Sequence, residues 1–200
     1  MLYTIRALKA DDAAALRCIF AEGHEEIGAG SGSEFLAKRH HNYAASILKG
    51  DLANIEDLFE EFLVATSAAD GSVLGGIGLM RLGPSCWEAR CLCVAAAARR
   101  QGVARALCRA LEECVVRREQ ECGWIPSATT LQLTVLSHMS AARALYDELG
   151  CGHVGQLQGF VEQRVETKNM VIDGVSGDIR VHHMMKTLDR CEGRAGAVLA

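Results

Sequence analysis

Arg99-Arg-Gln-Gly102-Val103-Ala104 is a short run that could hold an anion. Gly102 lets a ligand approach the backbone with no Cβ in the way, and Ala104 keeps the next contact small. Arg99, Arg100, Arg105 and Arg109 put basic charge beside it. An apolar stretch ending at Val94 precedes the run, and a stretch with helical spacing follows it. A helix starting here aims its first backbone N–H groups, which have no partner within the helix, at one spot. Phosphates are well suited to such a helix start. Alone, the hexapeptide is equally compatible with a plain strand-to-helix turn carrying solvated arginines.

Other candidate chemistry is weaker. No Gly-x-x-x-x-Gly-Lys-Ser/Thr run is present, which excludes a Walker-type phosphate loop. Gly75-Gly76-Ile77-Gly78 lies inside a strand pattern with no helix after it, so it is not a dinucleotide fingerprint. Cys91-x-Cys93 lacks a second pair at zinc spacing and reads as inert thiols on a strand. His40-His41 and His182-His183 put successive side chains on different faces, which is poor geometry for one metal. They read as surface or acceptor-pocket histidines, and no metal is expected.

The elements that must position these residues fit in one domain. The chain has 200 residues, half of them hydrophobic, which is enough for a full core. We expect a single domain over residues 1–188 and a flexible tail over 189–200. A net charge of −4 argues against a general nucleic-acid binder. The nine cysteines, with no secretory apolar run at the N-terminus, read as reduced thiols in the cytoplasm. No apolar run approaches the ~18 residues that a membrane span needs.

Tyr3 to Leu8 reads as a strand. Asp11 is a plausible cap for a helix running to about His24, and Gly28 to Gly32 reads as a loop. Glu34 to Gly50 reads as a second helix, and Asp51 could cap a short third one. Phe62–Ala68, Val73–Leu82 and Cys86–Val94 read as strands, the first two joined by the turn signal Asp70-Gly71. Gln101 to about Arg118 is the clearest helix, with Val103, Leu107, Leu111, Cys114 and Val115 as its buried stripe. Gly123 to Ser127 turns the chain into a strand over Thr129–Leu136. Ser137 or Ser140 can cap a last helix that Gly150 stops. Two more strands follow, near Phe160–Glu166 and Ile179–Leu188, with Asp173-Gly174 and Ser176-Gly177 in the loop between them. The fold class is mixed α/β (α+β), with a single, mostly antiparallel central sheet flanked by helices.

The strand, the Arg-x-x-Gly-x-Ala turn and its helix resemble the acetyl-CoA signature of the GNAT superfamily of N-acetyltransferases. Ala142-Arg-Ala-Leu145-Tyr146-Asp-Glu-Leu-Gly150-Cys151, after Leu131–Val135, resembles the superfamily's second signature. Two signatures in the right order are specific in combination. The organisation is similar over residues 2–188, and the motifs over 72–155. Ile5–Asp12, His24-Glu-Glu26, Asp51–Ile55 and Val181-His-His183 further resemble the camello-like branch. The polar segment Glu34–Gly50 stands where relatives in that branch often carry a membrane-embedding insert. The second signature departs from the pattern twice, with Met139 for its Asn and Cys151 for its closing Phe. Ser137, His138 or Ser140 could stand in for the Asn.

The resemblance implies a sheet splayed between its fourth and fifth strands. It implies acetyl-CoA as co-substrate, a primary amine on a small molecule or peptide as acceptor, and direct attack on the thioester. Glu88 stands where the superfamily often places the base, and Tyr146 where it places the general acid. Backbone groups of Leu92, Cys93 and Val94 would pair with the pantetheine arm. Arg99, Arg100, Gln101, Gly102, Val103, Ala104 and Arg105 would wrap the pyrophosphate. A non-catalytic acyl-CoA-binding module on the same fold is the other reading. No nucleic-acid or membrane partner is expected, and the C-terminal edge strands could pair two copies into a homodimer.

Overall fold

The computed structural model describes residues 2–121, 129–149, 161–172 and 175–188. Seven strands form one sheet: β1 (Tyr3–Ala7), β2 (Glu61–Ser67), β3 (Val73–Gly83), β4 (Cys86–Val94), β5 (Thr129–Leu136), β6 (Val161–Ile172) and β7 (Val175–Leu188). Their order is β1-β2-β3-β4-β5-β7-β6. Every neighbouring pair is antiparallel except β4–β5. That parallel ladder holds three residue pairs, Cys86–Thr130, Trp87–Leu131 and Glu88–Gln132. Beyond Glu88 the two strands part.

The helices are α1 (Asp12–Gly30), α2 (Glu34–Lys49), α3 (Ile55–Leu58), α4 (Val103–Glu121) and α5 (Ser140–Glu148). α4 and α5 cover one face of the sheet. Val103, Leu107, Leu111, Cys114 and Val115 are all buried there against Ile77, Leu79, Trp87, Leu131 and Leu133. α1 and α2 cover the other face, where Leu16, Phe20, Ala44 and Ile47 pack on Phe62, Val64 and Cys91. The strand alternation set by the pleat therefore feeds two cores.

The glycines of β3 serve packing. A Cβ on Gly78 would lie 2.4 Å from the Phe59 ring, and one on Gly75 would lie 2.3 Å from the Cys93 carbonyl oxygen. Their absence lets Phe59 lie flat on the sheet and β3 close on β4.

Several expected boundaries move, each for a tertiary reason. α1 runs on to Gly30, through the expected loop, because Gly28 packs directly on α2. A Cβ there would sit 3.0 Å from the Ala37 Cα. Ser33 then caps α2, its hydroxyl accepting the Leu36 N–H at 3.3 Å. Asp11 makes no side-chain cap. Asp12 instead accepts the Lys9 N–H at 2.8 Å and both Arg6 amino groups at 2.6 and 3.0 Å. α3 starts after Asn54, leaving Asp51 to pair with Arg90. Ser176 and Gly177, expected in a loop, lie in β7, where a Cβ on Gly177 would meet the Phe35 ring at 2.5 Å. Neither Ser137 nor Ser140 caps α5. Met139 holds that position, and the Ser137 hydroxyl turns to the Arg180 carbonyl and to His182. Gly123–Ser127, Gly150, Cys151, Asp173-Gly174 and the tail from 189 lie outside the described residues.

Candidate functional site

The candidate anion site is built at the C-terminal end of β4. A short 3-10 turn over Ala96–Ala98 leads to Arg100 and Gly102, both in the left-handed region at φ +61° and +82°. These two residues fold the link so that α4 begins at Val103. The Ala106 N–H pairs with the Gly102 carbonyl at 3.0 Å. The N–H groups of Val103, Ala104 and Arg105 come ahead of that bond, at the open helix start. Gln101 donates to the Ala97 carbonyl at 2.8 Å. Arg99 donates to the Val94 carbonyl at 3.0 Å and pairs with Glu26 of α1. Arg105 pairs with Glu148 of α5. The expected set from Arg99 to Arg105 thus surrounds one helix start, with Arg99 and Arg105 tied to helices on opposite faces.

The wall of the gap is β4 itself. The register between β3 and β4 shifts between Gly76 and Gly78, where β4 carries an extra residue. Cys91, at φ +57°, sits in this bulge. Arg90 and Cys91 consequently face the same side, and both reach Asp51, at 3.0 and 3.9 Å. Leu92 and Val94 pack toward α4, and Cys93 toward α1 and α2. Past Glu88 the edge of β4 that faces β5 enters no further ladder among the described residues. Leu92 to Val94 line that opening.

Tyr146 of α5 is buried in the core on the α4 side. Burial raises its pKa, and the nearby Cys108 and Tyr43 add to the shift. Tyr43 belongs to α2 on the opposite face, so this influence acts across the sheet.

Glu88 lies on the other side of β4 from Trp87, half-buried. It borders a cavity of about 60 Å³ with Gln132, Thr134, His183 and Met185, which has room for water. Burial raises its pKa and Asp51 adds to this, while Arg90 and His183 oppose it. The orientation of β4 here is held from behind. Glu119 of α4 is buried and accepts the Trp87 indole N–H and the Ser85 hydroxyl, each at 2.8 Å. The sequence carried no signal for Glu119, because one acidic residue on a helix looks solvated.

The thiols are quiet. Burial pushes Cys91 up and Cys93 up to about 12, so both stay protonated near neutral pH. Among the described residues no His, Cys, Asp and Glu group is arranged to hold a metal ion.

Sequence reading missed a chain of three imidazoles. His40 is buried, with Nδ1 2.8 Å from Nδ1 of His24 and Nε2 2.5 Å from Nε2 of His138. It joins α1, α2 and the link between β5 and α5. Burial, helped by the charge of Arg39, lowers His24 and His40 to about 4 and also lowers His138. All three are therefore neutral near pH 7. His41 is exposed, and His182 faces away from His183, as their adjacency in sequence implied.

Residues 59–150 match the family model of the GNAT acetyltransferase domain. No curated protein matches. The PaiA N-acetyltransferase of Thermoplasma acidophilum, solved with coenzyme A, is 18% identical with a TM-score of 0.60, over 94% of this chain and 100% of that one. Spermidine N-acetyltransferase from Vibrio cholerae, solved with CoA and spermine, is 17% identical with a TM-score of 0.59, over 92% and 95%. The ribosomal-protein-S18-alanine N-acetyltransferase of Escherichia coli is 17% identical with a TM-score of 0.57, over 98% and 100%. At these identities the likeness is one of fold, and it does not single out the camello-like branch. Among the described residues no helix is long and apolar enough to cross a membrane.

Proposed function

We propose that this chain, whose residues 59–150 match the GNAT acetyltransferase domain, moves the acetyl group of acetyl-CoA to a primary amine by direct attack, with both bound at once. The observation that carries this reading is the opening between β4 and β5 past Glu88, which leads to the helix start at Arg99–Arg105. An extended pantetheine arm suits the free edge at Leu92, Cys93 and Val94 as an added strand would. The N–H groups of Val103, Ala104 and Arg105, with Arg99, Arg100, Gln101 and Gly102, suit a pyrophosphate. The co-substrate supplies an electrophilic thioester carbonyl and a thiolate leaving group.

The chain's own residues divide the remaining work. A backbone N–H at the bulge stabilises the oxyanion. Glu88 takes the proton that the incoming ammonium must lose, directly or through water in the cavity beside it. Its raised pKa brings it nearer that of the amine and makes it a better base. Tyr146 faces the departing sulfur. A CoA-type thiol has a pKa of ~8.5, and burial holds the phenol above its own ordinary value. Tyr146 therefore gives a hydrogen bond to the sulfur rather than surrendering its proton.

The CoA held by the Thermoplasma and Vibrio proteins supports the donor assignment. The free thiols, with Cys91, Cys108 and Cys114 buried, fit a cytoplasmic protein. The outer edge of β6 could pair with a second copy.

The test is calorimetric titration with acetyl-CoA, followed by thiol release with a panel of amines. Saturable binding and amine-dependent release are expected. Binding without release on any amine would leave only a binding module, and no binding at all would sink both readings.

A further inference from the structure

Arg39 sits in α2 beside the imidazole chain, and among the described residues its guanidinium has no anionic partner. Its central carbon stacks 4.9 Å from the centre of the Tyr43 ring. Its Nε is buried with no hydrogen-bond partner. Among the described residues no carboxylate pairs with it, whereas Arg6, Arg90 and Lys186 are matched by Asp12, Asp51 and Glu112. The groups that face it are His24 of α1, His40 and Tyr43 of its own helix, and His138 beyond β5. All of these are neutral near pH 7. Burial works against its charge, and only Tyr43 offsets that. A half-buried guanidinium among neutral groups is costly unless something outside the chain pairs with it.

We infer that Arg39, flanked by His24 and His138, is the anchor for a carboxylate on the acceptor, so that the preferred amines are amino-acid-like. The planar guanidinium fork matches a carboxylate, and a neutral imidazole can donate one further bond. The side of the sheet decides between acceptor and donor. α2 lies on the face opposite α4, whose start is the phosphate-type site. Tyr43, on which Arg39 stacks, stands close to Arg90, Asp51 and Cys91 at the β4 bulge. Glu88 feels that same Arg90–Asp51 pair. An amine near Glu88 and a carboxylate at Arg39 therefore share one face.

The word acceptor rests on the acetyl-transfer reading, and the binding test does not. The imidazoles of the full-length chain are followed by NMR while N-acetyl amino acids, and the same compounds as neutral amides, are titrated in. The acids should bind saturably and raise the pKa values of His24, His40 and His138, because they neutralise the Arg39 charge that adds to the lowering caused by burial. The amides should do neither. Arg39→Gln should weaken the acids by about tenfold or more. If that variant fails to fold, Arg39→Lys keeps the charge, loses the fork and should still bind the acids several-fold more weakly. The inference is overturned if acids and amides act alike, or if no acid binds. It is also overturned if inorganic phosphate saturates the site in place of the acids, or if Arg39→Gln raises KM for acetyl-CoA instead. Carboxylate binding without turnover of any amine would sink acetyl transfer and keep the anchor. Equal turnover of amino acids and their amides would do the reverse.

Discussion

On the proposed function, the donor end of the opening is one continuous piece of chain, from Leu92 to Arg105. The acceptor end draws Glu88 from β4, Arg39, His40 and Tyr43 from α2, His24 from α1, Asp51 from before α3 and His138 from beyond β5. The means differ as well. The donor end offers backbone N–H groups, two residues in the left-handed region and half-exposed arginines. The acceptor end offers buried or half-buried side chains whose pKa values are moved by burial and by each other. A site made of backbone can be weakened without unfolding the protein. A site made of buried side chains is also part of the core, so function and stability are tied together there.

Glu88→Gln should show the largest effect. We expect kcat to fall by about 1,000-fold, within the range for general-base catalysis. KM for acetyl-CoA should hold, since Glu88 belongs to the acceptor end. A base must be ionised to act, so wild-type kcat/KM should rise as pH increases through the raised Glu88 pKa. That acid limb should lie above the ordinary carboxylate range and be missing from the variant. Unchanged kcat would place the base elsewhere and break the division between the two ends.

Glu119→Ala comes next and tests the support behind Glu88. It strands two buried donors, the Trp87 indole and the Ser85 hydroxyl. Each orphaned group costs about 1–3 kcal/mol, so a loss of about 3 kcal/mol in urea unfolding is expected. kcat should fall with it, because Trp87 fixes the strand that presents Glu88. Loss of stability with unchanged kcat would mean that β4 keeps its orientation unaided.

The same division explains what could be read before folding. The ends of β4, the stripe of α4 and the break at Gly102 were legible because periodicity and turn chemistry are local properties. Glu88 and Tyr146 were singled out by their places relative to two signatures, not by chemistry visible at either residue. His24, His40 and His138 lie 16 and 98 residues apart, so nothing local joins them. Asp51 looked like a helix cap because its partner, Arg90, is brought to it only by the sheet. The left-handed Cys91 carries no residue-type signal, since a cysteine gives no reason to adopt positive φ. Gly28 to Gly30 looked like loop on composition. The contact of Gly28 with Ala37 overrides that preference and carries the helix on.

Gly102→Val should act only at the donor end. At φ +82° a β-branched residue is strained, by about 1–2 kcal/mol for the left-handed conformation. The space itself is open, since a Cβ would meet only the Tyr3 hydroxyl at 3.5 Å. The loop should therefore change conformation rather than clash, raising KM for acetyl-CoA about tenfold with little change in kcat. A large loss of stability instead would show that the donor end is also part of the core.

The smallest effect is the sharpest test, because a pair of substitutions separates two roles for one residue. Arg105 pairs with Glu148, and both side chains are about half exposed, at 47% and 58%. Such a pair contributes under about 1 kcal/mol to stability. If Arg105 serves only to tie α4 to α5, then Arg105→Ala and Glu148→Ala should be equivalent, each leaving KM for acetyl-CoA in place. If Arg105 also faces the pyrophosphate, the two variants should diverge. Arg105→Ala should raise KM for acetyl-CoA several-fold. Glu148→Ala should leave it level or lower it, since a competing carboxylate is gone and the guanidinium is free to turn to the phosphates. Raising salt should narrow the difference, because the interaction is half exposed and screened. Convergence of the two variants at low salt would remove Arg105 from the donor end and leave the backbone of α4 to hold the phosphates.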